Sequence, residues 1–409
     1  MPLHSQCRIC KTPLPEPFLD LGSMPLANAF LSSSKEFSEE KSYPLAVSLC
    51  SRCRLVQLNF VVPPEILYRH YLYVSSTSEA VRRYAAALAA EVVGRQRLGK
   101  EDLVVELGSN DGLALQVFQH LGVRVLGVEP ARNIAAVARE RGIPTVAEFF
   151  CEATARRLAA EEGTASVILG RHVFAHIHDL QDFFSAVDHA LAPEGVVLIE
   201  VPYLGNLIAQ LEFDTIYHEH LSYFSLRPIF ELCRRHRFEL TDASPVPLHG
   251  GSVLLFIHRA GKAKITPRLQ RMWQAEQDNG LHQEETYVRF ARQVAQWQET
   301  FEALISSLAS SGAQCVGYGA AAKANTLLNA CPAAAKHLKC VLDRNPLKHG
   351  RFTPGTHLPV VPADTWQKDG ATHMLILAWN FKEEILTQMQ PFAQKGGRFI
   401  VPIPHPELV

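Results

Sequence analysis

The residues with the clearest potential for chemistry lie in two histidine-bearing stretches, RHVFAHIH at 171–178 and DTIYHEHLSYF at 214–224. Proton transfer near neutral pH needs a group that titrates in this range and that a carboxylate or a hydroxyl group holds in place. The second stretch supplies all three kinds of group in succession, as YHEH at 217–220. Because the HIH and HEH spacings lack the i, i+4 histidine pair of a helical metal site, a catalytic metal is the weaker alternative. We therefore predict a proton-transfer site formed by the two stretches.

A glycine-rich turn marks a second candidate site, in VVELGSNDG at 104–112, which VLGVEP follows at 125–130. An apolar run, a turn, a helix-like segment and a second apolar run form the opening half of a nucleotide-binding βαβ unit. Gly108 and Gly112 let the backbone turn sharply and approach a ligand closely, and Asn110 tolerates positive φ better than most residues. The pattern predicts a nucleotide-type ligand at this turn.

Acidic residues around the turn indicate which ligand it binds. Glu106 precedes the turn and would repel a phosphate, so it favours a cationic amino-acid group. Glu129, beside Pro130 at the end of the second strand, can accept hydrogen bonds from both ribose hydroxyls. Glu148 and Phe149 lie near the end of the predicted third strand, PTVAEFF at 144–150, and are placed to contact the adenine, although Glu148 could equally be a solvated surface acid. We predict S-adenosylmethionine as the ligand, with NAD as the weaker alternative.

Four of the nine cysteines form two CxxC pairs, at Cys7, Cys10, Cys50 and Cys53. Each pair can present two thiolates to one tetrahedral ion, and the Pro- and Leu-rich segment between the pairs would gain stability from a closing metal. Four thiolates leave no open coordination position, so the predicted zinc is structural rather than catalytic. Free thiols and a redox pair are the alternatives, but a redox motif would not need two copies.

Bulk properties narrow the functional class. The 409 residues carry a formal net charge of −1, which gives no electrostatic argument for binding nucleic acid or an anionic membrane. No apolar run approaches the ~20 residues that span a bilayer. The first residues, MPLHSQCRICK, lack the apolar region of an export signal. We expect a cytoplasmic enzyme that is a monomer or a small homo-oligomer.

The alternation of apolar runs and helical stretches predicts an α/β fold with a mostly parallel sheet. The predicted domains are a zinc-binding domain at 1–72 and a class I methyltransferase (Rossmann-like) domain at 73–258. A helical connector at 259–311 follows. A second Rossmann-like α/β domain at 312–409 contributes to substrate binding.

The predicted substrate contacts come from two further motifs. HGGS places His249 and Gly250 where the backbone approaches a ligand closely or forms a bulge. The turn GYGAAAK at 317–323 adds Tyr318 and Lys323, and the lysine begins a helix where amides, helix dipole and ammonium would hold a phosphate together. A lysine on a solvated helix face is an equally good interpretation, and NAD is also plausible at this turn.

Taken in order, these motifs resemble those of the sugar C-methyltransferases of unusual-deoxysugar biosynthesis. The resemblance covers nearly the whole chain and rests on the paired CxxC motifs, ELGSNDG, IYHEHLSYFS, HGGS and GYGAAAKANT. Enzymes of this family methylate nucleotide-linked 4-keto-6-deoxyhexoses, usually at C-3. The resemblance implies an N-terminal zinc domain, a central S-adenosylmethionine-dependent domain and a C-terminal Rossmann-like domain that closes over the sugar nucleotide.

The resemblance also implies roles for individual residues. His220 would be the catalytic base, with Glu219 and Tyr217 around the sugar. His176 and Tyr73 would complete the pocket. The chemistry agrees, because a carbon next to a ketone becomes nucleophilic only when a base removes its proton and the enolate oxygen is stabilised.

Two other functional classes are weaker. An NAD-dependent sugar-nucleotide oxidoreductase would need a Tyr-xxx-Lys or similar hydride-transfer pair, which the sequence does not show. A zinc-ribbon module that binds nucleic acid would need basic and aromatic patches, which are also missing. Methyl transfer to a non-sugar ketone stays open within the main interpretation.

Overall fold

The structure is a computed structural model that describes residues 5–67, 76, 79–247, 250–367 and 370–409. The predicted site residues Tyr73 and His249 lie outside these ranges. Strands are numbered in chain order: β1 Leu19–Pro25, β2 Ser42–Leu49, β3 Val56–Leu58, β4 Leu103–Leu107, β5 Arg124–Val128, β6 Thr145–Val146, β7 Ala165–Arg171, β8 Leu191–Pro202, β9 Ser222–Tyr223, β10 Phe238–Val246, β11 Ser252–Arg259, β12 Cys315–Tyr318, β13 Leu338–Asp343, β14 Val360–Pro362, β15 His373–Ile376, β16 Arg398–Val401 and β17 Glu407–Leu408.

Helices are numbered in the same way: α1 Pro64–Leu67, α2 Glu79–Gln96, α3 Leu113–His120, α4 Arg132–Glu140, α5 Glu152–Glu162, α6 Leu180–Ala190, α7 Leu204–Ala209, α8 Leu226–Arg235, α9 Pro267–Asp278, α10 Glu284–Ser310, α11 Ala322–Ala330, α12 Pro332–Ala335, α13 Lys382–Gln388 and α14 Gln390–Gln394. Short 3-10 turns at Phe174–His176, Phe213–Thr215 and Trp379–Phe381 matter for the site. Among the described helices, none is both long and apolar enough to cross a bilayer.

The central sheet has the strand order β10-β11-β8-β7-β4-β5-β6. The strands from β8 to β6 are parallel, and β11 and β10 add an antiparallel edge. Buried apolar runs in β4, β7 and β8 explain why these strands occupy the middle of the sheet, since helices cover both of its faces. Parallel strands end at one edge, so the segments that follow β4, β5, β6 and β7 meet there. The predicted α/β fold is confirmed.

One expected strand is shorter than predicted. The sequence predicts a strand at PTVAEFF, residues 144–150, but β6 contains only Thr145–Val146. Glu148 therefore lies in the loop before α5 rather than at a strand end. The physical reason is that β6 is the edge strand of the sheet, with β5 as its only partner there.

The N-terminal sheet has the order β1-β2-β3-β9 and is antiparallel throughout. Its last strand comes from a distant part of the chain, because β9 directly follows the YHEH segment. Val56 pairs with Tyr223 and Gln57 with Ser222. The zinc-binding region therefore holds the second histidine stretch through backbone pairing.

The C-terminal sheet has the order β14-β13-β12-β15-β16-β17, parallel except for the last pair. The long helix α10 packs an apolar stripe that includes Phe290, Trp297 and Phe301 into a core shared with residues of both the N-terminal and C-terminal sheets. The predicted connector is thus helical, as α9 and α10, and its aromatic residues pack in the core.

Candidate active site

The turn between β4 and α3 depends on residues that tolerate positive φ. Gly108, Asn110 and Gly112 have φ values of 57°, 51° and 78°. The Gly108 N–H donates to the carbonyl oxygen of Val128 at 2.7 Å, and a Cβ at this glycine would lie 2.2 Å from Cγ1 of Val173. A side chain at position 108 would therefore clash, and the turn fits closely between β5 and the segment after β7.

Two buried acids flank this turn. The carboxylate of Glu129 accepts the N–H of Asn110 (3.0 Å) and of Ala131 (2.8 Å); burial raises its pKa, and these hydrogen bonds oppose the rise. Burial also raises the pKa of Glu106, and the nearby guanidinium of Arg171 offsets only part of this rise. Within the described part of the chain, Oε2 of Glu106 is buried without a hydrogen-bond partner. An orphaned carboxylate oxygen beside a glycine turn fits the ammonium group of S-adenosylmethionine.

A buried ionic network lies beside these acids. Arg171 donates through Nε (3.0 Å) and Nη2 (2.8 Å) to Oε1 of Glu106. On the neighbouring strand, Glu200 lies 2.9 Å from Nε2 of His172 and accepts the hydroxyl of Tyr84 at 2.8 Å. Burial alone would raise the pKa of Glu200, but His172 and Arg171 lower it below its usual value. Sequence reasoning missed this network, although an acid near the end of β8 was a signal.

The four predicted zinc ligands converge. The Sγ atoms of Cys7, Cys10, Cys50 and Cys53 all lie within 4.8 Å of one another, and all four residues are buried. Such a thiolate set fits a tetrahedral zinc ion and leaves no coordination position for a substrate. The metal would therefore stabilise the fold of the N-terminal region.

The zinc-ligand turn also contacts the first histidine stretch. Arg8, between the first two cysteines, donates its backbone N–H to Oε1 of Gln57 at 2.8 Å. Its Nη2 donates to the carbonyl oxygens of Ile177 (2.6 Å) and His178. These carbonyls directly follow His176, so the N-terminal region helps to fix the position of that segment.

His220 is a buried, neutral histidine with a defined tautomer. Its Nδ1 lies 2.8 Å from the carbonyl oxygen of Thr215, which can only accept, so Nδ1 carries the proton. Its Nε2 then accepts the hydroxyl of Tyr217 at 2.9 Å. Burial and, to a smaller extent, His176 hold the pKa of His220 well below its usual value. The ring is therefore neutral near pH 7 and presents a basic Nε2.

The two histidine stretches meet, as their positions at strand ends suggested. Leu221 donates its N–H to the carbonyl oxygen of Ala175 at 2.8 Å, and the ring centroids of His176 and His220 lie 5.0 Å apart. Burial lowers the pKa of His176 to about 4, so it is also neutral near pH 7. Two neutral imidazoles thus meet edge to face, and the phenol of Tyr217 lies beside the ring of His220.

Glu219 precedes His220 in the chain and is also buried. Its exposed fraction is 2%, and burial raises its pKa to about 7. Its Oε1 accepts a hydrogen bond from Nδ2 of Asn28 at 2.7 Å. Asn28 belongs to the N-terminal region, and no local pattern in the sequence indicated this contact.

Lys323 lies in a second buried charged group. Its Nζ is 4.2 Å from the ring centre of Trp379 and, among the residues described, has no hydrogen-bond partner. Burial lowers its pKa, and the carboxyl groups of Asp214 and Glu212 oppose that shift. Asp214 accepts Nε1–H of Trp379 at 2.7 Å, and a Cβ at Gly250 would lie 2.7 Å from Oε1 of Glu212. Burial raises the pKa of Glu212 to about 8 and that of Asp214 to about 6.

Three residues that were predicted to contact ligands lie apart from these clusters. Tyr318 is buried in the core of the C-terminal sheet, and its hydroxyl donates to Oε1 of Gln388 at 3.4 Å. Its ring faces that core because side chains alternate along β12, so we do not retain it as a substrate contact. Glu148 is half exposed and pairs with Arg157 at 2.8 Å, while Phe149 is exposed.

Three protein families match consecutive parts of the chain. A zinc binding domain family matches residues 7–68, a methyltransferase domain family matches 76–243, and a C-methyltransferase C-terminal domain family matches 247–404. The C-methyltransferase NovU of Streptomyces niveus is 36% identical over 408 residues, which cover 99% of this chain and 96% of that protein. The chain belongs to the C-methyltransferase family.

Other similarities are confined to smaller parts of the chain. The ubiquinone biosynthesis O-methyltransferase of Bartonella bacilliformis is 27% identical over 97 residues, covering 24% of this chain and 39% of that protein. Among solved structures, the PH0226 protein of Pyrococcus horikoshii matches with a TM-score of 0.37 and 16% identity, over 46% of this chain and 94% of its own. Family membership therefore rests on the full-length relative and the three matched domains.

Membership of this family gives the general function of the chain. The chain is an S-adenosylmethionine-dependent C-methyltransferase with a zinc-binding N-terminal domain. The predictions of the enzyme class, of the cofactor and of zinc are confirmed. The predicted catalytic and binding roles of individual residues stay predictions.

Proposed function

We propose that this enzyme methylates C-3 of a nucleotide-linked 4-keto-6-deoxy sugar and that His220 removes the proton from that carbon. The observation that carries the proposal is the neutral, oriented imidazole of His220, with Nδ1 fixed by Thr215 and Nε2 directed at Tyr217. Methylation of carbon next to a ketone requires such a base, whereas methylation of an oxygen or nitrogen that carries a lone pair need not.

The proposed reaction begins with loss of the proton from C-3 to Nε2 of His220. The electron pair of the broken C–H bond forms the enolate, whose negative charge collects on the C-4 oxygen. The hydroxyl of Tyr217, or the ring N–H of His176, donates to that oxygen and stabilises it. When bound, S-adenosylmethionine would supply the electrophilic methyl group to C-3, and its sulfur would keep the electron pair of the S–CH3 bond and leave as S-adenosylhomocysteine. His220 ends the reaction as an imidazolium and returns its proton to solvent.

Burial supports this role for His220 in a second way. A histidine whose pKa lies well below its usual value is almost wholly unprotonated at neutral pH, so every molecule carries the free base. The same shift makes His220 a weaker base, and the neighbouring donors must then supply part of the stabilisation of the enolate. Tyr217 and His176 lie beside its ring and can do so.

The charged group around Lys323 suits the hydroxyl groups of a sugar. With the pKa of Glu212 near 8 and that of Asp214 near 6, Glu212 is mostly neutral and Asp214 mostly ionised at pH 7. Together with one ammonium, the group then carries little net charge. Its buried donors and acceptors would form hydrogen bonds with neutral hydroxyls more readily than with a pyrophosphate. We place Lys323 and Gly250 on the substrate side of the site.

We assign the cofactor to the edge of the central sheet. Glu106 would bind the ammonium group of the cofactor, and Glu129 would accept hydrogen bonds from its ribose hydroxyls. The backbone of Gly108 and of the rest of the turn would contact the cofactor between these two groups. Pro130, Glu148 and Phe149 would border the adenine. The positions of these residues after β4, β5 and β6 support this assignment, since parallel strands bring their following segments together.

The proposal is tested by assaying the enzyme with nucleotide-linked 4-keto-6-deoxy sugars and by comparing His220→Ala with the wild type. The expected loss of methyl transfer is about 10²- to 10⁴-fold, the usual contribution of a general base. Binding of S-adenosylhomocysteine, measured by calorimetry, should not change. The exposed His337 provides the matched control, and His337→Ala should behave as the wild type.

Exchange of the C-3 proton isolates the first step. In D2O with S-adenosylhomocysteine bound, the wild type should exchange this proton with solvent deuterium, and His220→Ala should not. Turnover or exchange that survives in His220→Ala would rule out the assignment of the base. Failure of the wild type to methylate any keto sugar nucleotide would rule out the proposed acceptor.

A further inference from the structure

A residue of the N-terminal zinc-binding domain reaches the catalytic stretch. Asn28 lies just beyond β1, and its Nδ2 donates to Oε1 of Glu219 at 2.7 Å, between residues 191 positions apart in the chain. Glu219 directly precedes His220 and is almost fully buried. The contact therefore joins the zinc-binding domain to the side chains that we place around the substrate.

The segment that carries Asn28 is held from the opposite side by the C-terminal domain. Asn325 of α11 donates from Nδ2 to the carbonyl oxygen of Ala27 at 2.6 Å. A little further along, Leu31 and Phe352 exchange both backbone hydrogen bonds, at 3.0 and 2.8 Å. The backbone around Asn28 is thus fixed before its side chain meets Glu219.

The catalytic stretch is bound to the same N-terminal domain. The strand β9, which follows His220, pairs with β3, and Nε2 of His218 lies 3.2 Å from the carbonyl oxygens of Tyr43 and Pro44. These contacts hold the stretch on both sides of Glu219. Because donor and acceptor are carried by one connected framework, their relative position varies little.

The hydrogen bond has a defined chemical effect. A carboxyl group buried this deeply is drawn toward its neutral form, and burial raises the pKa of Glu219 to about 7. The amide N–H of Asn28 favours the carboxylate and lowers that pKa. It also fixes the rotation of the carboxylate, since one of its two oxygens is tied to the amide.

We infer that Asn28 is a positioning residue for methyl transfer, contributed by the zinc-binding domain, and that it orients the carboxylate of Glu219 toward the substrate. This inference rests on the proposed function, in which Glu219 contacts the sugar. It gives the N-terminal domain a part in the reaction that does not involve the metal directly.

A double-mutant cycle between Asn28→Ala and Glu219→Gln tests the inference. In the wild-type background, Asn28→Ala should lower kcat/KM about 10- to 100-fold, the range for a hydrogen bond to a charged group. In the Glu219→Gln background the same change should have little further effect, because its target is gone. An equal loss in both backgrounds, or no loss in the wild type, would overturn the inference.

Controls separate this role from a structural one. Asn59 belongs to the same domain and donates to Ser48, so Asn59→Ala is the matched control and should keep kcat/KM. Zinc content and the affinity for S-adenosylhomocysteine should be the same in all variants. A loss of zinc in Asn28→Ala would indicate a structural role and would also overturn the inference.

A second measurement of the effect of Asn28 can be made without knowing the methyl acceptor. The infrared C=O band of protonated Glu219, identified by its absence in Glu219→Gln, should be weak in the wild type at pH 8 and stronger in Asn28→Ala. An unchanged band would count against the inference whether or not a sugar substrate has been found. Inactivity of the wild type with keto sugars, by contrast, would count only against the proposed function.

Discussion

The chain contains two βαβ units with nearly the same backbone arrangement and different surroundings. In the central unit, Gly108 donates to the carbonyl oxygen of Val128, and Glu129 accepts the N–H of Asn110. In the C-terminal unit, Gly319 donates to the carbonyl oxygen of Leu342 at 2.8 Å. Each unit thus places a glycine turn against the end of its second strand.

The acid that ends the second strand also behaves alike in the two units. Asp343, at the end of β13, accepts the N–H of Ala320 and of Asn345, both at 2.7 Å, just as Glu129 accepts two backbone donors after β5. Each carboxylate closes a loop of its own unit. This contact alone therefore does not distinguish a cofactor site from a packing element.

The difference lies in what contacts each turn. In the C-terminal unit, Nζ of Lys348 donates to the carbonyl oxygen of Ala320 at 2.6 Å and lies 5.1 Å from the ring centre of Phe30, a residue of the N-terminal region. In the central unit, Glu106 keeps a buried oxygen without a partner in the described part of the chain. We therefore propose that the turn of the central unit binds the cofactor and that the turn of the C-terminal unit packs against protein, because function has to be argued from the surrounding side chains.

The largest effect that could test this comparison is on cofactor binding. Glu129→Gln should weaken binding of S-adenosylhomocysteine about 10- to 100-fold, because it removes a charged acceptor for the ribose hydroxyls. Asp343→Asn, the equivalent change in the other unit, should leave that affinity unchanged. Calorimetry on both variants measures the difference.

Two results would contradict this prediction. Loss of affinity in Asp343→Asn, or binding of NAD to the wild type that Asp343→Asn abolishes, would place a nucleotide site in the C-terminal unit. The proposed division between a cofactor unit and a packing unit would then be wrong.

A smaller effect should separate Lys323 from Lys348, two partly buried lysines of the C-terminal domain. Lys323→Met should raise KM for the acceptor about 5- to 10-fold, since a hydrogen-bond donor to the substrate is lost. Lys348→Met should leave KM unchanged and lower the free energy of unfolding instead, because Ala320 loses its partner. Steady-state kinetics and denaturant unfolding of both variants test this prediction, and a rise in KM in Lys348→Met alone would reverse the assignment.

The smallest expected effect is on the pH dependence of cofactor binding. Burial raises the pKa of Glu129 and of Glu106, so protonation at falling pH reaches them earlier than it would reach an exposed glutamate. Protons then compete with the ligand, and Kd for S-adenosylhomocysteine should rise about 2- to 4-fold between pH 7.5 and 5.5. Asp343→Asn should keep this dependence, and Glu129→Gln should reduce it, with Glu106 supplying the remainder. A Kd that does not change with pH would show that neither acid titrates on binding.

Much of the fold and part of the site followed from local sequence patterns. The paired CxxC motifs, the glycine turn and its flanking acids are each short, and their geometry depends on neighbours in sequence. Periodicity also predicted the helical connector that contains α9 and α10, because α10 buries one apolar stripe. The extent of β6 and the position of Tyr318 were not predictable in this way, since the strand partner and the buried face are set by other parts of the chain.

The sequence by itself determined which groups are available: two histidine-bearing stretches, a glycine turn flanked by acids, and four thiols. The tertiary structure alone decided which of them meet. The contacts of Arg8 with Ile177, of Asn28 with Glu219 and of Trp379 with Asp214 span 169, 191 and 165 positions. Contacts of this range have no local signal, because they depend on how the three sheets and their helices pack together.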